Sequence, residues 1–188
     1  KKTSSYHHGN LKTALLEEAK KHLQSVGPDK ISLRALARDL GVSQTAPYRH
    51  FADKTELLAA LAADGFNMLR DASMDVVTNY ESATDKLFHA GRAYVCFAKA
   101  NSDLYRLMFG PMIPPNIDYP ELREAGDSSF QAIIDIIEYG INRGEFRRDD
   151  PIVLANSTWA MVHGLSSLII DGRFDCTEHE YTAEELDK

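Results

Sequence analysis

The chain has 188 residues, of which 44% are hydrophobic and 26% charged, and its formal net charge is -7 at pH 7. This composition excludes a disordered chain and predicts a globular protein, large enough for one domain with a small attached head. No uninterrupted apolar run reaches the roughly 20 residues that cross a bilayer, and the first ten residues contain no apolar signal segment, so we expect a cytoplasmic protein with no membrane partner.

Helical periodicity runs through every long segment, whereas alternating strand patterns and internal repeats are missing. We therefore predict an all-α fold of about nine helices. The first spans Leu11 to Val26 and ends at Gly27-Pro28. Ser32 can cap a second helix, and Gly41 supplies the left-handed stop after it.

The segment from Ser43 onwards completes a helix-turn-helix pattern, which presents one helix end to the DNA major groove. Ser43 is a natural cap for a third helix, and Pro47 would lie in its first turn, where its missing N–H has no intrahelical acceptor. Exposed side chains at the amino-terminal end of this third helix can read base edges, namely Gln44, Thr45, Ala46 and Arg49. The side chains suited to phosphate oxygens are Tyr48, His50 and Lys54. Two amphipathic helices of an ordinary bundle, with Tyr48 and Phe51 in the core, would show the same pattern.

A long fourth helix, capped by Asp53, is expected to run towards Val77 and to link two domains. Residues 1–54 form the predicted DNA-binding domain, and residues 55–188 form the predicted ligand-binding and dimerisation domain. Because the linking helix is continuous, movement of its far end must move the head. A fifth helix begins near Ala83, and the later helices are predicted over 104–109, 120–143, 150–170 and, as a ninth, from about Thr182.

The segment Gly110 to Asn116 contains three of the seven prolines, so no helix can run through it. Its apolar members Met112 and Ile113 would be costly in a free loop, and we expect the segment to fold over the body as a lid or pocket wall. The body also has more large apolar side chains than a small bundle needs, which predicts a cavity for a hydrophobic or aromatic small molecule. The predicted ligand-binding residues are Phe88, Tyr94, Phe97, Tyr105, Met108, Phe109, Met112, Phe130, Trp159 and His163. An ordinary core position is the alternative for each, and for His163 a hydrogen-bonded place inside a dimer interface is another.

The helix over residues 150–172 is the most informative element of the body. It has no charged residue from Val153 to Ile170, so it is too apolar around its circumference to keep one face in water. Small side chains lie along one edge at spacings of three and four, where another helix can approach closely: Ser157, Ala160, Gly164 and Ser167. We therefore expect a homodimer in which this helix and the helix over 120–143 form a four-helix interface about a two-fold axis.

The charges divide between the two predicted domains. Residues 1–54 contain ten Lys or Arg against five Asp or Glu, a net charge of +5, whereas residues 55–188 contain eleven against twenty-three, a net charge of -12. A net positive charge in the segment with the turn motif, beside a net negative charge in the rest of the chain, indicates a DNA-reading head on an acidic body. Phosphate neutralisation would then supply most of the sequence-independent affinity.

The runs L33-R-A-L-A-R-D-L-G-V-S43 and Y48-R-H-F-A-D-K-T-E-L-L58 resemble the DNA-binding domain of the TetR family of bacterial transcription regulators. A shorter pair of runs, Y6-H-H-G-N-L11 and T158-W-A-M-V-H-G-L165, resembles a subgroup whose carboxy-terminal domain is named for a Trp-His-Gly signature. The resemblance implies a dimeric, operator-binding, ligand-responsive regulator, which we expect to be a repressor. It implies a phosphate contact for Ser32, base contacts for the residues named above, and phosphate contacts for Tyr48, His50 and Lys54. Arg34 and Ser43 complete the predicted DNA-binding set.

Other chemistry has little support in the sequence. No Ser-His-Asp order, glycine-rich phosphate loop or metal-spaced His and Cys cluster is visible, so we expect no enzyme, no cofactor and no metal site. Cys96 and Cys176 lie far apart and are expected to be reduced, structural thiols. Two alternatives stay open: a helical small-molecule-binding protein without operator binding, and an enzyme built on a helical bundle.

Overall fold

The computed structural model describes residues 11–174, which form an all-α fold. Between these limits the chain has seven α-helices and no strand. They are α1 (Leu11–Val26), α2 (Leu33–Asp39), α3 (Lys54–Val77), α4 (Ala83–Ala100), α5 (Ser102–Phe109), α6 (Pro120–Arg143) and α7 (Pro151–Ile170). The predicted count of about nine is therefore wrong. The third predicted helix is only a 3-10 turn over Pro47–Arg49, and the ninth, from Thr182, lies outside the described residues.

Pro47 explains why the third predicted helix does not form. In an α-helix its nitrogen would donate to the Ser43 carbonyl, but proline has no N–H and its ring crowds that oxygen. The Ser43 carbonyl instead accepts from the Ala46 N–H at 2.9 Å, and the His50 N–H donates to the Pro47 carbonyl at 2.9 Å. The predicted capping role of Ser43 is also wrong, because its Oγ lies 3.3 Å from Thr45 Oγ1 rather than against a backbone N–H.

Two other caps predicted for the amino-terminal head, residues 1–54, are confirmed. Ser32 Oγ accepts a hydrogen bond from the Ala35 N–H at 3.1 Å and so caps α2. Asp53 Oδ1 accepts from the Glu56 N–H at 2.9 Å and caps α3. Gly41 has φ 68, the left-handed conformation that the stop after α2 requires.

Helix α3 runs from the head into the middle of the body, as predicted. There it packs against α4, α5 and α6, and it also contacts α1. The main apolar core is continuous across this junction, since Leu15 and Leu23 of α1 belong to the same cluster as Leu61 of α3 and Leu104 and Leu107 of α5. Head and body are therefore joined by packed side chains as well as by the α3 backbone.

The two longest carboxy-terminal helices begin and end at the expected signals. Pro120 opens α6, and Gly144 ends it with φ 74. Asp150 Oδ1 accepts a hydrogen bond from the Ile152 N–H at 2.8 Å and caps α7, with Pro151 in the first turn. Because both predicted ranges are confirmed, the surfaces that α6 and α7 present can be assigned to particular residues.

Gly140 permits a close approach within the body that no side chain would allow. A Cβ built on Gly140 would lie 2.8 Å from the Ala83 Cβ and would overlap the Phe146 ring, whereas a Cβ on Gly126, in the same helix, would meet nothing within 4 Å. We expect Gly140→Ala to lower the free energy of unfolding by about 1–3 kcal/mol through overpacking. The matched Gly126→Ala change should raise it by roughly 0.5–1 kcal/mol, because alanine favours helix interiors. Urea unfolding at one protein concentration measures both, and equal effects would contradict this explanation.

Candidate nucleic-acid interface and ligand cavity

The turn between α2 and α3 presents most of the predicted base-reading side chains to solvent. Gln44, Thr45 and Arg49 are exposed, Ala46 is half-buried, and Pro47 is fully buried beneath them. Tyr48, with 46% of its surface exposed, and His50 lie on the same open turn. A buried proline thus anchors a short polar segment that projects from the head.

Three further predicted DNA-contacting residues flank this turn. Arg34 on α2 is exposed, and Ser32 is exposed although its hydroxyl already caps α2. Lys54 Nζ donates to the Asp29 carbonyl at 2.8 Å, which leaves two of its three hydrogens for other acceptors. Lys54 is also the first residue of α3, where the helix dipole adds positive potential.

A cavity of about 290 Å³ lies inside the body, bounded mainly by α3, α4, α6 and α7. Its wall is mostly aliphatic and aromatic, with neutral polar groups from Ser73, Ser129, Asn156 and Thr158. Four of the ten predicted ligand-binding residues are in this wall, namely Tyr94, Phe109, Phe130 and Trp159.

The other six predicted ligand-binding residues do not line the cavity. Phe97, Tyr105 and Met108 are buried in the main core, and Met112 packs against that core. His163 contacts two wall residues, since its ring centroid is 4.5 Å from that of Phe109 and 5.6 Å from that of Trp159.

Phe88 shows why one of these predictions fails. The cavity-facing positions of α4 are Leu87, Ala90, Gly91 and Tyr94, at spacings of three and four, and Phe88 falls off this face. Half of its surface is exposed. The prediction that Phe88 lines the cavity is wrong.

The proline-rich segment is also placed differently from the prediction. Met112 and Ile113 are half-buried and pack against the main core, so the segment does fold onto the body. None of the residues between Gly110 and Tyr119 lines the cavity. The segment covers apolar core, and its predicted role as a pocket wall is wrong.

Helix α3 contributes cavity residues that sequence reasoning missed. They are Phe66, Leu69, Arg70, Ser73 and Met74, which follow the i, i+3, i+4, i+7, i+8 pattern of one helix face. That spacing was the available signal. The prediction missed these residues because it treated α3 only as the link between the two domains.

Three polar rings beside the cavity form one hydrogen-bonded cluster that joins α4, α5 and α7. The Tyr94 and Tyr105 hydroxyl oxygens are 2.9 Å apart, and Tyr105 Oη is 2.7 Å from His163 Nδ1. Burial is the main cause that raises the pKa of both tyrosines, and burial lowers the pKa of His163. The cluster is therefore neutral at physiological pH, which suits a site beside an apolar cavity.

The low pKa of His163 predicts a stability change in mild acid. Because the folded-state pKa lies below the ordinary value of 6.5, the unfolded chain binds this proton first. The contribution of His163 to the free energy of unfolding is fully present above pH 6.5 and is lost as the pH falls through the folded-state pKa. We expect His163→Gln to remove this part of the pH dependence. Urea unfolding between pH 8 and pH 5 at one protein concentration tests this, and parallel profiles for the two proteins would contradict it.

Helix α7 leaves a broad apolar face open. Only Ala155 and Ser166 are buried on this helix, whereas Met161 is 73% exposed and Val153 is 52% exposed. A Cβ on Gly164 would meet nothing within 4 Å, so the predicted small-residue edge faces open space. By length and composition α7 would also qualify as a membrane span, and 11% of its most apolar 18-residue stretch is buried.

Two smaller features lie away from the cavity. Glu18, His22 and Asp39 have ligand atoms within 4.8 Å of one another, a spacing at which a metal ion could be held. A hydrogen bond and an ion pair account for this arrangement, because His22 Nε2 lies 3.0 Å from Asp39 Oδ2 and Lys21 Nζ lies 2.8 Å from Glu18 Oε2. Cys96 is an exposed free thiol, and Cys176 lies outside the described residues.

Comparison with known families matches both parts of the chain. Residues 15–61 match the family described as bacterial regulatory proteins, tetR family, and residues 87–186 match the tetracyclin repressor-like C-terminal domain. The resemblance to the Trp-His-Gly subgroup stays a prediction.

Individual relatives agree with these matches. HTH-type transcriptional regulators from Mycobacterium tuberculosis and Mycobacterium bovis are 30% identical over 148 residues, which cover 76% of this chain and 62% of theirs. The chain thus spans about three fifths of the length of these curated relatives. A structure of a protein of unknown function from Rhodococcus sp. RHA1 has 35% identity and a TM-score of 0.83, and the match covers 93% of this chain and 90% of that one. The TetR family regulator PfmR from Thermus thermophilus has 19% identity and a TM-score of 0.59, covering 88% and 99% of the two chains, and so shares the fold.

Proposed function

The chain belongs to the TetR family of bacterial transcriptional regulators, and we propose that it is a homodimeric repressor that a small apolar effector releases from a palindromic operator. In this proposal residues 1–54 read the DNA, and residues 55–188 bind the effector and the second subunit. Because its target is DNA, we place the protein in the cytoplasm.

The path of α3 is the observation that carries this proposal. The helix begins at Lys54, beside the exposed turn, and its residues Phe66 to Met74 form one wall of the cavity. One rigid element therefore touches both the DNA-facing surface and the space for an effector. A change in the packing of α3 within the body is transmitted to the head.

Release requires the effector to distinguish two conformations of the protein. The effector must bind the released form more tightly than the DNA-competent form, because equal affinity for both would shift nothing. A coupling of roughly 1–3 kcal/mol is typical of such linked sites. The mostly apolar wall of the cavity, with Tyr94 and Trp159 among its residues, favours a hydrophobic or aromatic effector.

The open face of α7 supports the homodimer. Exposed Val153, Met161 and Leu168 surround the small-residue edge at Gly164, and such a face is stabilised when a second copy covers it. Two-fold symmetry would place two heads on half-sites one helical turn apart, roughly 34–36 Å, or a multiple of that distance.

The short 3-10 turn over Pro47–Arg49 favours one other candidate function. With a single 3-10 turn in place of the third helix, the head presents fewer ordered backbone groups to a groove than an α-helix would. A helical small-molecule-binding protein without operator binding would have the same cavity and the same open α7 face. Salt-sensitive binding to duplex DNA would exclude it.

The test couples DNA release to occupancy of the cavity. A fluorescent operator duplex, obtained by selection from random DNA, is bound to the protein and titrated with apolar compounds. The chain has a single tryptophan, and because Trp159 lies in the cavity wall its fluorescence reports binding there. We expect loss of operator anisotropy at the ligand concentrations that change Trp159 emission. Ligands that fill the cavity and leave operator affinity unchanged would contradict release by an effector.

A further inference from the structure

Arg70 is the charged residue of the cavity wall. Among the described residues that line the cavity, it alone has an ionised side chain, and the others are apolar or neutral. Guanidinium groups stay protonated at any physiological pH. A permanent positive charge therefore borders a space that is otherwise suited to apolar groups.

Arg70 also borders a second depression, which we call the junction groove. This groove, of about 500 Å³, lies between α1, α3 and α6 and is lined by residues such as Lys12, Asn67, Glu121 and Ser128. Within the described chain, Arg70 is the one residue common to the linings of the cavity and the groove. Its side chain is 32% exposed, so Arg70 lies where the apolar cavity meets a more polar groove.

The present partners of Arg70 are replaceable. Nη1 donates to Ser128 Oγ on α6 at 3.0 Å, and Nε and Nη2 donate to Asp71 Oδ1 at 3.0 and 2.8 Å. Asp71 is the next residue in the chain and its side chain is 62% exposed, so this ion pair is of the solvated kind that adds little net stability. A carboxylate that arrives from the cavity side would accept hydrogen bonds from the guanidinium in a place with less competing water than the surface.

We propose that the cavity binds an amphipathic carboxylate, with its apolar part among the aromatic wall residues and its carboxylate on Arg70. This rests on the proposed function and names the ligand class for the same cavity. The planar fork of Arg70 matches a carboxylate in bidentate geometry. The cavity volume of about 290 Å³ is at the small end for ligand pockets, which fits one short acyl chain or one substituted aromatic ring.

The position of Arg70 also connects the ligand to the head. A carboxylate that takes Nη1 from Ser128 loosens a tie between α3 and α6. Lys12 Nζ of α1 pairs with Glu121 of α6 at 2.8 Å, so head and body contact each other along the same groove. Loss of the Arg70–Ser128 hydrogen bond would therefore change the packing of α3 against α6 in the same groove that Lys12 of α1 lines.

The experiment compares carboxylates with their neutral isosteres in the full protein. Alkanoates from hexanoate to decanoate, each paired with the primary amide of the same length, are titrated while Trp159 emission and operator anisotropy are recorded. We expect carboxylates to bind more tightly than amides. Arg70→Gln should weaken carboxylate binding on the order of 10- to 100-fold and leave amide binding unchanged. Arg123→Gln is the matched control, because Arg123 also pairs with a nearby exposed carboxylate, Asp118, and lines neither depression.

The outcomes separate this proposal from the proposed function. Equal affinity for carboxylate and amide, or no carboxylate binding at all, overturns the role of Arg70. If amides then bind and release the operator, effector release itself still stands. If carboxylates bind through Arg70 and the operator stays bound, the ligand class is right and effector release is wrong. Amide binding by the Arg70→Gln protein shows that this variant is folded.

Discussion

Gly164→Glu is expected to produce a folded monomer that binds the operator roughly 10²- to 10⁴-fold more weakly than the unmodified protein. In the proposed dimer Gly164 lies where the two copies of α7 approach, and a glutamate there would bring buried charge into an apolar interface. The second head would no longer be delivered to its half-site. Sedimentation and operator titration measure the two effects in one preparation.

Within a single subunit, Gly164→Glu should not destabilise the fold. A Cβ on Gly164 meets nothing within 4 Å, and glutamate favours a helix more than glycine does. Ala100→Glu is a suitable control, because it adds the same charge at an exposed site on α4. A Gly164→Glu protein that remains dimeric and keeps operator affinity would contradict the assignment of this face as the dimer interface.

Arg49→Ala and Lys54→Gln are expected to damage DNA binding in different ways. Arg49 is exposed on the turn and is predicted to contact bases, so its loss should cost about 1–3 kcal/mol at one base position and relax the preference there. Lys54 is predicted to contact phosphate, so its neutralisation should weaken all sequences alike and reduce the salt slope by about one. Affinities for the operator and for single-base variants, measured over a range of salt, distinguish the two.

Glutamine is chosen at Lys54 for a structural reason. Lys54 Nζ holds the Asp29 carbonyl at 2.8 Å, and an amide can retain a hydrogen bond there while removing the charge. Lys99→Gln, at an exposed site on α4, controls for the change in net charge. If Lys54→Gln altered only the preferred sequence, or if Arg49→Ala lowered all affinities equally, the division of roles would be wrong.

Helix ranges were predictable wherever the sequence contains both a start and a stop signal. The range of α6 follows from Pro120 and from Gly144, and that of α7 from Asp150-Pro151 and from the turn after Ile170. The third predicted helix failed because Pro47 lies one turn after Ser43, where its effect depends on whether the chain continues in α or 3-10 geometry. Local propensity does not decide between these two.

The cavity was less predictable than the helices. Residue type identified Tyr94, Phe109, Phe130 and Trp159, but it does not separate a cavity wall from solid core or surface. That separation depends on the rotation of each helix about its axis, which contacts between distant helices determine. The spacing along α3 places Arg70 on the cavity face but does not reveal its role in the proposal, since that role comes from the juxtaposition of α3 and α6.

Operator binding by a dimer is tested most simply by selection of binding sites from random duplex DNA with the purified protein and no ligand. We expect enrichment of a two-fold palindrome whose half-sites are one helical turn apart, or a multiple of it. We also expect Gly164→Glu to remove this enrichment. A folded, dimeric protein that enriches no sequence would contradict the proposal that this chain is an operator-binding regulator.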